Sequence, residues 1–202
     1  MKFDWRFLIR LLIAQVLFAV MTYFLLYSTL GVLEAVDIFH WAIMLLLLGI
    51  YFYILYVDSK IKGSNDMGAT VNAEKEYANL GKDSTELPKA FCPWKGFLYG
   101  FLSQIPVLLF ILVMQVLRWC ALGAAYSIEV LLKYWFFCLT TLFSSFPTGV
   151  IPIYVYLAMV AWFILAVGMG YRAGEAHRRH IEVVIQRNSQ RIRKGHKPEQ
   201  KK

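Results

Sequence analysis

The side chains able to do chemistry are few and scattered. His177 and His180 stand three residues apart, which on a helix puts both rings on one face, in reach of a shared metal ion. Two ligands do not make a site, no Cys or carboxylate is offered as a third at a fixed spacing, and Arg178 and Arg179 would repel a cation. The pair reads as a solvated face, and no cofactor or metal is expected. Cys92, Cys120 and Cys138 are odd in number and form no C-x-x-C, so they suggest buried free thiols rather than a disulfide framework. There is no G-x-S-x-G, H-E-x-x-H or P-loop, and no carboxylate pair inside the apolar blocks. Nothing here supports an enzyme.

One polar pattern is periodic. Glu129, Lys133, Thr140 and Ser144 fall within about 60° of one another at 100° per residue, a narrow stripe on a helix otherwise filled by Leu132, Trp135, Phe136, Phe137 and Leu139. Glu129 and Lys133 also stand at i,i+4 in the favourable order. Two readings fit: an interfacial helix whose stripe faces water, which is expected, or a re-entrant helix whose stripe lines a polar cavity. Elsewhere the largest polar groups inside apolar segments are Gln15, Gln104 and Gln115, with Ser103 and Thr22. Amides in such surroundings usually bond a neighbouring helix. A solute path would draw on Gln104, Gln115, Glu129 and Lys133.

These residues sit in a chain built for lipid. Of 202 residues 59% are hydrophobic and only 17% charged, against about a quarter charged in soluble domains. Mean hydropathy is +0.54. The composition excludes a disordered chain, and also an ordinary nucleic-acid-binding domain despite a net charge of +8. Four segments are long enough to cross a bilayer: Phe7–Leu30, His40–Val57, Phe97–Leu117 and Ile153–Tyr171. The first is longer than a signal-peptide core and lacks an A-x-A site, so it is expected to stay as a span.

Charge sets the orientation. Of 21 Lys and Arg, three begin the chain (Lys2, Arg6, Arg10), six lie in 58–95 and ten from Arg172 onward, which leaves only Arg118 and Lys133. Positive residues stay cytoplasmic, so both termini and the 58–95 loop are expected inside. The block 127–145 is then not a crossing; it lies in, or dips into, the outer leaflet between the third and fourth spans. The fold class is an all-α integral membrane protein with four transmembrane helices. Its parts are a transmembrane hairpin (1–57), a cytoplasmic polar loop (58–95), the third and fourth membrane helices with the interposed amphipathic helix (96–174), and a basic cytoplasmic tail (175–202), helical to about 194. Within the loop, 62–68 reads as flexible and 72–80 as a short helix ended by Gly81. Pro93, Trp94 and Lys95 read as an interfacial lead-in to the third helix.

Two further features suggest contacts. Gly96 and Gly100 open the third helix, and Ala166, Gly170 and Gly174 close the fourth, so the two small-residue faces are expected to meet near the inner leaflet. In the tail, Arg178, Arg179, Arg187, Arg191, Arg193 and Lys194 flank an apolar stripe, which suggests contact with anionic lipid headgroups. No aromatic residue follows Tyr171, so nucleic acid is not expected. The expected role is a non-catalytic accessory or scaffold subunit that binds another membrane protein. The alternative is a component of a small-solute or ion transporter acting as a homo-oligomer. A bacterial plasma membrane is the default location.

Overall fold

The first helix, α1 (Trp5–Leu30), starts where Asp4 caps it: the Asp4 Oδ1 accepts hydrogen bonds from the backbone N–H of Arg6 (3.1 Å) and Phe7 (3.3 Å). In the computed structural model, which describes residues 3–30, 37–81, 90–120, 123–136 and 151–193, every regular element is helical. After α1 come α2 (Asp37–Asn79), α3 (Lys95–Trp119), α4 (Ala124–Trp135) and α5 (Ile153–Arg193). Both α3 and α5 are long and apolar enough to cross a membrane. Pro106 lies inside α3, which remains helical on both sides of it.

The largest departure from the sequence reading is α2. The segment 58–79 is not a polar connector with a short helix at its end; it is the second half of one 43-residue helix. Gly63, Ser64, Asn65 and Gly68 are poor helix formers in isolation, but packing overrides that weakness. A methyl group added at Gly63 would collide with the carbonyl of Tyr171, and one at Gly68 would lie 3.1 Å from the Arg178 Nε. These glycines let α5 approach the α2 backbone. The helix ends where expected, at Gly81, whose φ of 65° suits a residue without Cβ.

Contacts between α2 and α5 ascend together. Gly170 faces Tyr56 and Ser59, Gly174 faces Lys60 and Ser64, Gly68 faces Arg178, and Lys75 reaches Glu182. The two helices therefore run parallel. Beyond Asp58 and Tyr171 each continues for about 33 Å at 1.5 Å per residue. The expectation that the fourth span runs on as one helix to about 194 agrees with the observed end at Arg193.

Small residues close the packing, with partners other than those expected. Gly96 and Gly100 of α3 abut Tyr171, and Ile164 with Val167, on α5. Gly170 and Gly174 turn instead to α2. The two faces do not meet each other, because α5 is sandwiched and offers a different side to each neighbour. Ala166 is buried on the same helix.

Apolar side chains form two buried clusters. One holds Phe7, Leu11, Tyr51, Leu55, Tyr99, Phe163 and Val167. The other holds Val107, Ile111, Met114, Leu132, Ile151, Tyr156 and Val160. The outward faces are also apolar, with Ile13, Leu17 and Phe24 on α1, Leu45 and Leu46 on α2, Leu112 on α3 and Trp162 on α5 all exposed. An apolar exterior over an apolar interior is what a lipid solvent selects. Cys120 is exposed, contrary to the expected buried thiol.

Candidate functional site

Three helices converge on one carboxylate, and a fourth joins it through Lys62. Asp66, on α2 and 8% exposed, accepts through Oδ1 from the Lys62 ammonium (2.9 Å). Its Oδ2 accepts from Lys95 of α3 (2.8 Å) and from the Tyr171 hydroxyl of α5 (2.7 Å). Lys62 also reaches Asp4 at the start of α1 (2.6 Å), and the Asp4 backbone N–H donates to the Tyr99 hydroxyl oxygen (2.8 Å). Lys95 is 3% exposed; its remaining bond is to the Ala90 carbonyl (2.9 Å), and its ammonium sits 5.9 Å from the Tyr99 ring centre. Two ammoniums and two carboxylates make the cluster neutral, which is what allows it to be buried.

The segment before α3 is fastened to the same place. The Thr70 hydroxyl donates to the Asp66 carbonyl (3.0 Å) and accepts from the Phe91 N–H (3.0 Å), while the Phe91 ring stacks on Tyr171 with centres 5.2 Å apart. The local electrostatics follow. For Asp66, burial pushes the carboxyl upward, but the bonds from Lys95, Tyr171 and Lys62 outweigh it and hold it below the usual value. The Lys62 hydrogen bond holds Asp4 low as well. Burial lowers Lys62, but its bonds to Asp4 and Asp66 outweigh this and leave it raised. A carboxylate with both oxygens engaged by donors is poorly placed to take a proton from a substrate. What the cluster can do is fix where α1, α2, α3 and α5 cross.

Sequence reasoning missed this cluster. Lys62 and Asp66 were assigned to a flexible stretch, and Lys95 to the lipid interface beside Trp94. Trp94 is indeed exposed, but Lys95 turns inward. The signal that was present is the i,i+4 spacing of Lys62 and Asp66.

The proposed polar path does not converge. Gln104 is 1% exposed and lines a cavity of about 30 Å³ together with Gln15, under Phe18, Tyr51, Phe52, Trp135, Phe136 and Phe163. Gln115 instead borders an open apolar groove with Phe101, Ile105, Trp119 and Leu157. Glu129, 5% exposed, is buried rather than turned to water. It pairs with Arg118 (2.8 Å) and accepts from the Ile151 N–H (3.3 Å), so it ties α4 to the end of α3 and the start of α5. The expected water-facing stripe is thus corrected at Glu129: Arg118 at the end of α3 supplies an inward partner for the charge. Lys133 lies within α4, but its side chain is outside the described residues, as are Thr140, Ser144 and the rest of 137–150.

Further along the α2–α5 pair, Glu182 receives Lys75 (2.9 Å) and Arg178 (2.9 Å), and Lys75 is the main reason its carboxyl is lowered. Arg178 is therefore engaged within the helix pair. Arg179 pairs with Glu175 (2.5 Å) while staying largely exposed, and Arg187 is exposed. Arg191 and Arg193 belong to α5, with side chains outside the described residues, and Lys194 lies outside them altogether. His177 and His180 are exposed, and among the described residues no three His, Cys, Asp or Glu gather to hold a metal ion. Compared with protein families, curated proteins and solved structures, the chain matches none.

Proposed function

We propose that the chain is a four-span, non-catalytic membrane subunit that presents a rigid cytoplasmic arm, the parallel pair formed by the second halves of α2 and α5, to another membrane protein. The observation that carries this reading is that both helices run unbroken out of the apolar region, close-packed through Gly63, Gly170 and Gly174 and pinned by Asp66–Tyr171 and Lys75–Glu182. A connector would need neither. An arm that keeps its shape presents a surface without an ordering cost on binding.

Several features support four crossings. Leu11–Leu30 and Ile38–Val57 contain no Asp, Glu, Lys or Arg, matching the ~20 residues a span requires. The Asp4, Lys62, Lys95 and Tyr171 cluster puts the starts of α1 and α3 level with the exits of α2 and α5. This supports an up-down-up-down reading with the basic segments on one side, the cytoplasmic one by the positive-inside rule. A bacterial plasma membrane fits this layout. The exposed Arg172 lies where the arm leaves the apolar region, where a base contributes about 1 kcal/mol toward anionic lipid.

Purification in mild detergent tests the proposal. A stoichiometric membrane-protein partner that is lost on Ile185→Glu with Arg187→Glu, both exposed on the arm, is the expected result. A homo-oligomer without a partner would support the transporter reading instead and overturn this one.

A further inference from the structure

Gln15 and Gln104 share the cavity but do not satisfy each other. Among the described residues, the Gln15 Oε1 and Nε2 and the Gln104 Nε2 are buried without a hydrogen-bond partner, and the two residues are 5% and 1% exposed. At 1.5 Å per residue Gln15 lies about 15 Å along α1 and Gln104 about 14 Å along α3, half the depth of a ~30 Å hydrocarbon layer. No bulk water reaches that depth through lipid, and an unpaired amide there is costly. Its wall includes Tyr51 and Phe163 of one apolar cluster and Trp135 and Phe136, which pack against the other, and all five helices contribute to it.

The wall defines what can occupy it. None of the described lining residues is charged, and among them neither an anion nor a cation finds a counter-charge. The rings of Phe18, Tyr51, Trp135 and Phe163 add apolar surface, leaving the amides as the polar groups known to be without partners. Those amides offer both donors and an acceptor, so the occupant must be able to accept and donate. About 30 Å³ exceeds the 10–15 Å³ that one water needs and holds about two. We propose that this cavity is a hydration site, in which one or two water molecules bridge the amides of Gln15 and Gln104 halfway across the bilayer.

The experiment uses the full chain, labelled with ¹⁵N-glutamine, in lipid nanodiscs. Cross-relaxation between the side-chain amide protons and water is recorded, with Gln15→Met and Gln104→Met assigning the signals. Water cross-peaks from both amides are expected, of the sign that marks slowly exchanging bound water. In parallel, each single Met variant should lower the unfolding midpoint by leaving the other amide less satisfied. The double variant should recover much of that loss, since both polar partners are then gone. Cross-peaks to ring protons alone, or a direct amide–amide contact, would overturn the proposal. So would a rise in midpoint for each single variant, the mark of a dry cavity relieved of an orphan amide. Titration with ammonium and methylammonium should leave the amide resonances unmoved. A saturable shift would make this a cation site and contradict the assignment.

Discussion

Replacing Asp66 by Asn changes one charge and almost no volume. It leaves one amide oxygen where Lys62, Lys95 and the Tyr171 hydroxyl shared two. It also takes the counter-charge from Lys95, which is 3% exposed and keeps the Ala90 carbonyl and the Tyr99 ring. The cluster of Asp4, Lys62, Asp66 and Lys95 then carries a net positive charge inside the protein. Removing one partner of a buried pair typically costs ~3–5 kcal/mol. The retained Ala90 bond and the hold of Asp4 on Lys62 reduce that, so about 2–4 kcal/mol is expected. The assay is reversible unfolding in mixed micelles, titrated with a denaturing detergent and followed by tryptophan fluorescence. Asp66→Asn combined with Lys95→Met should recover most of the loss, because deleting both charges removes the uncompensated one. A loss below about 0.5 kcal/mol for the single variant, the range of ordinary surface changes, would refute the view that this cluster holds the helices.

Three other outcomes follow from the same geometry. Gly170→Ala would drive a methyl into the Tyr56 carbonyl, a backbone atom that cannot step aside, and should cost ~1–3 kcal/mol; Gly49→Ala, with nothing within 4 Å, should be neutral or stabilising by up to about 1 kcal/mol. Glu129→Gln should destabilise by about 1.5–3 kcal/mol through Arg118 and the Ile151 N–H, measured in the same micelle assay, where no change would restore the water-facing helix. The pH dependence has a definite sign. Asp4 and Asp66 are held below 3.8, so their stabilisation is complete above that value and is lost as pH falls through the folded values. Lys62 is raised above 10.5, so its part is complete below 10.5 and is lost as pH rises through the folded value. The contribution of this cluster to the unfolding midpoint should be flat from about pH 4 to about pH 10 and fall outside that window.

The apolar segments, the helical reach of the tail and the stop at Gly81 were legible because each rests on a local property: hydropathy over a span, an amphipathic stripe, or the backbone freedom of one glycine. The second half of α2 was not legible. Gly63, Ser64, Asn65 and Gly68 argue locally against a helix, and only the α5 backbone lying against Gly63 reverses that. The small-residue faces were recognised as packing surfaces, but their partners depend on which side of α5 each neighbour takes, and that is a three-dimensional choice. Lys95 could not be told from an interfacial lysine, since its partner Asp66 is 29 positions away. Glu129 was misread for a related reason. Lys133 explained it at i,i+4, which hid the need to look for Arg118.

The central claim is that α2 and α5 leave the membrane together as a parallel cytoplasmic arm. In a chain whose three native cysteines are replaced by Ser, Lys75→Cys and Glu182→Cys place thiols where the wild type forms a 2.9 Å ion pair. A short, membrane-impermeant bis-maleimide applied to inside-out vesicles should join the two positions within one chain, and the same reagent applied to intact cells should not. Single labelling of each cysteine without a crosslink, or crosslinking from the outer side, would contradict the account.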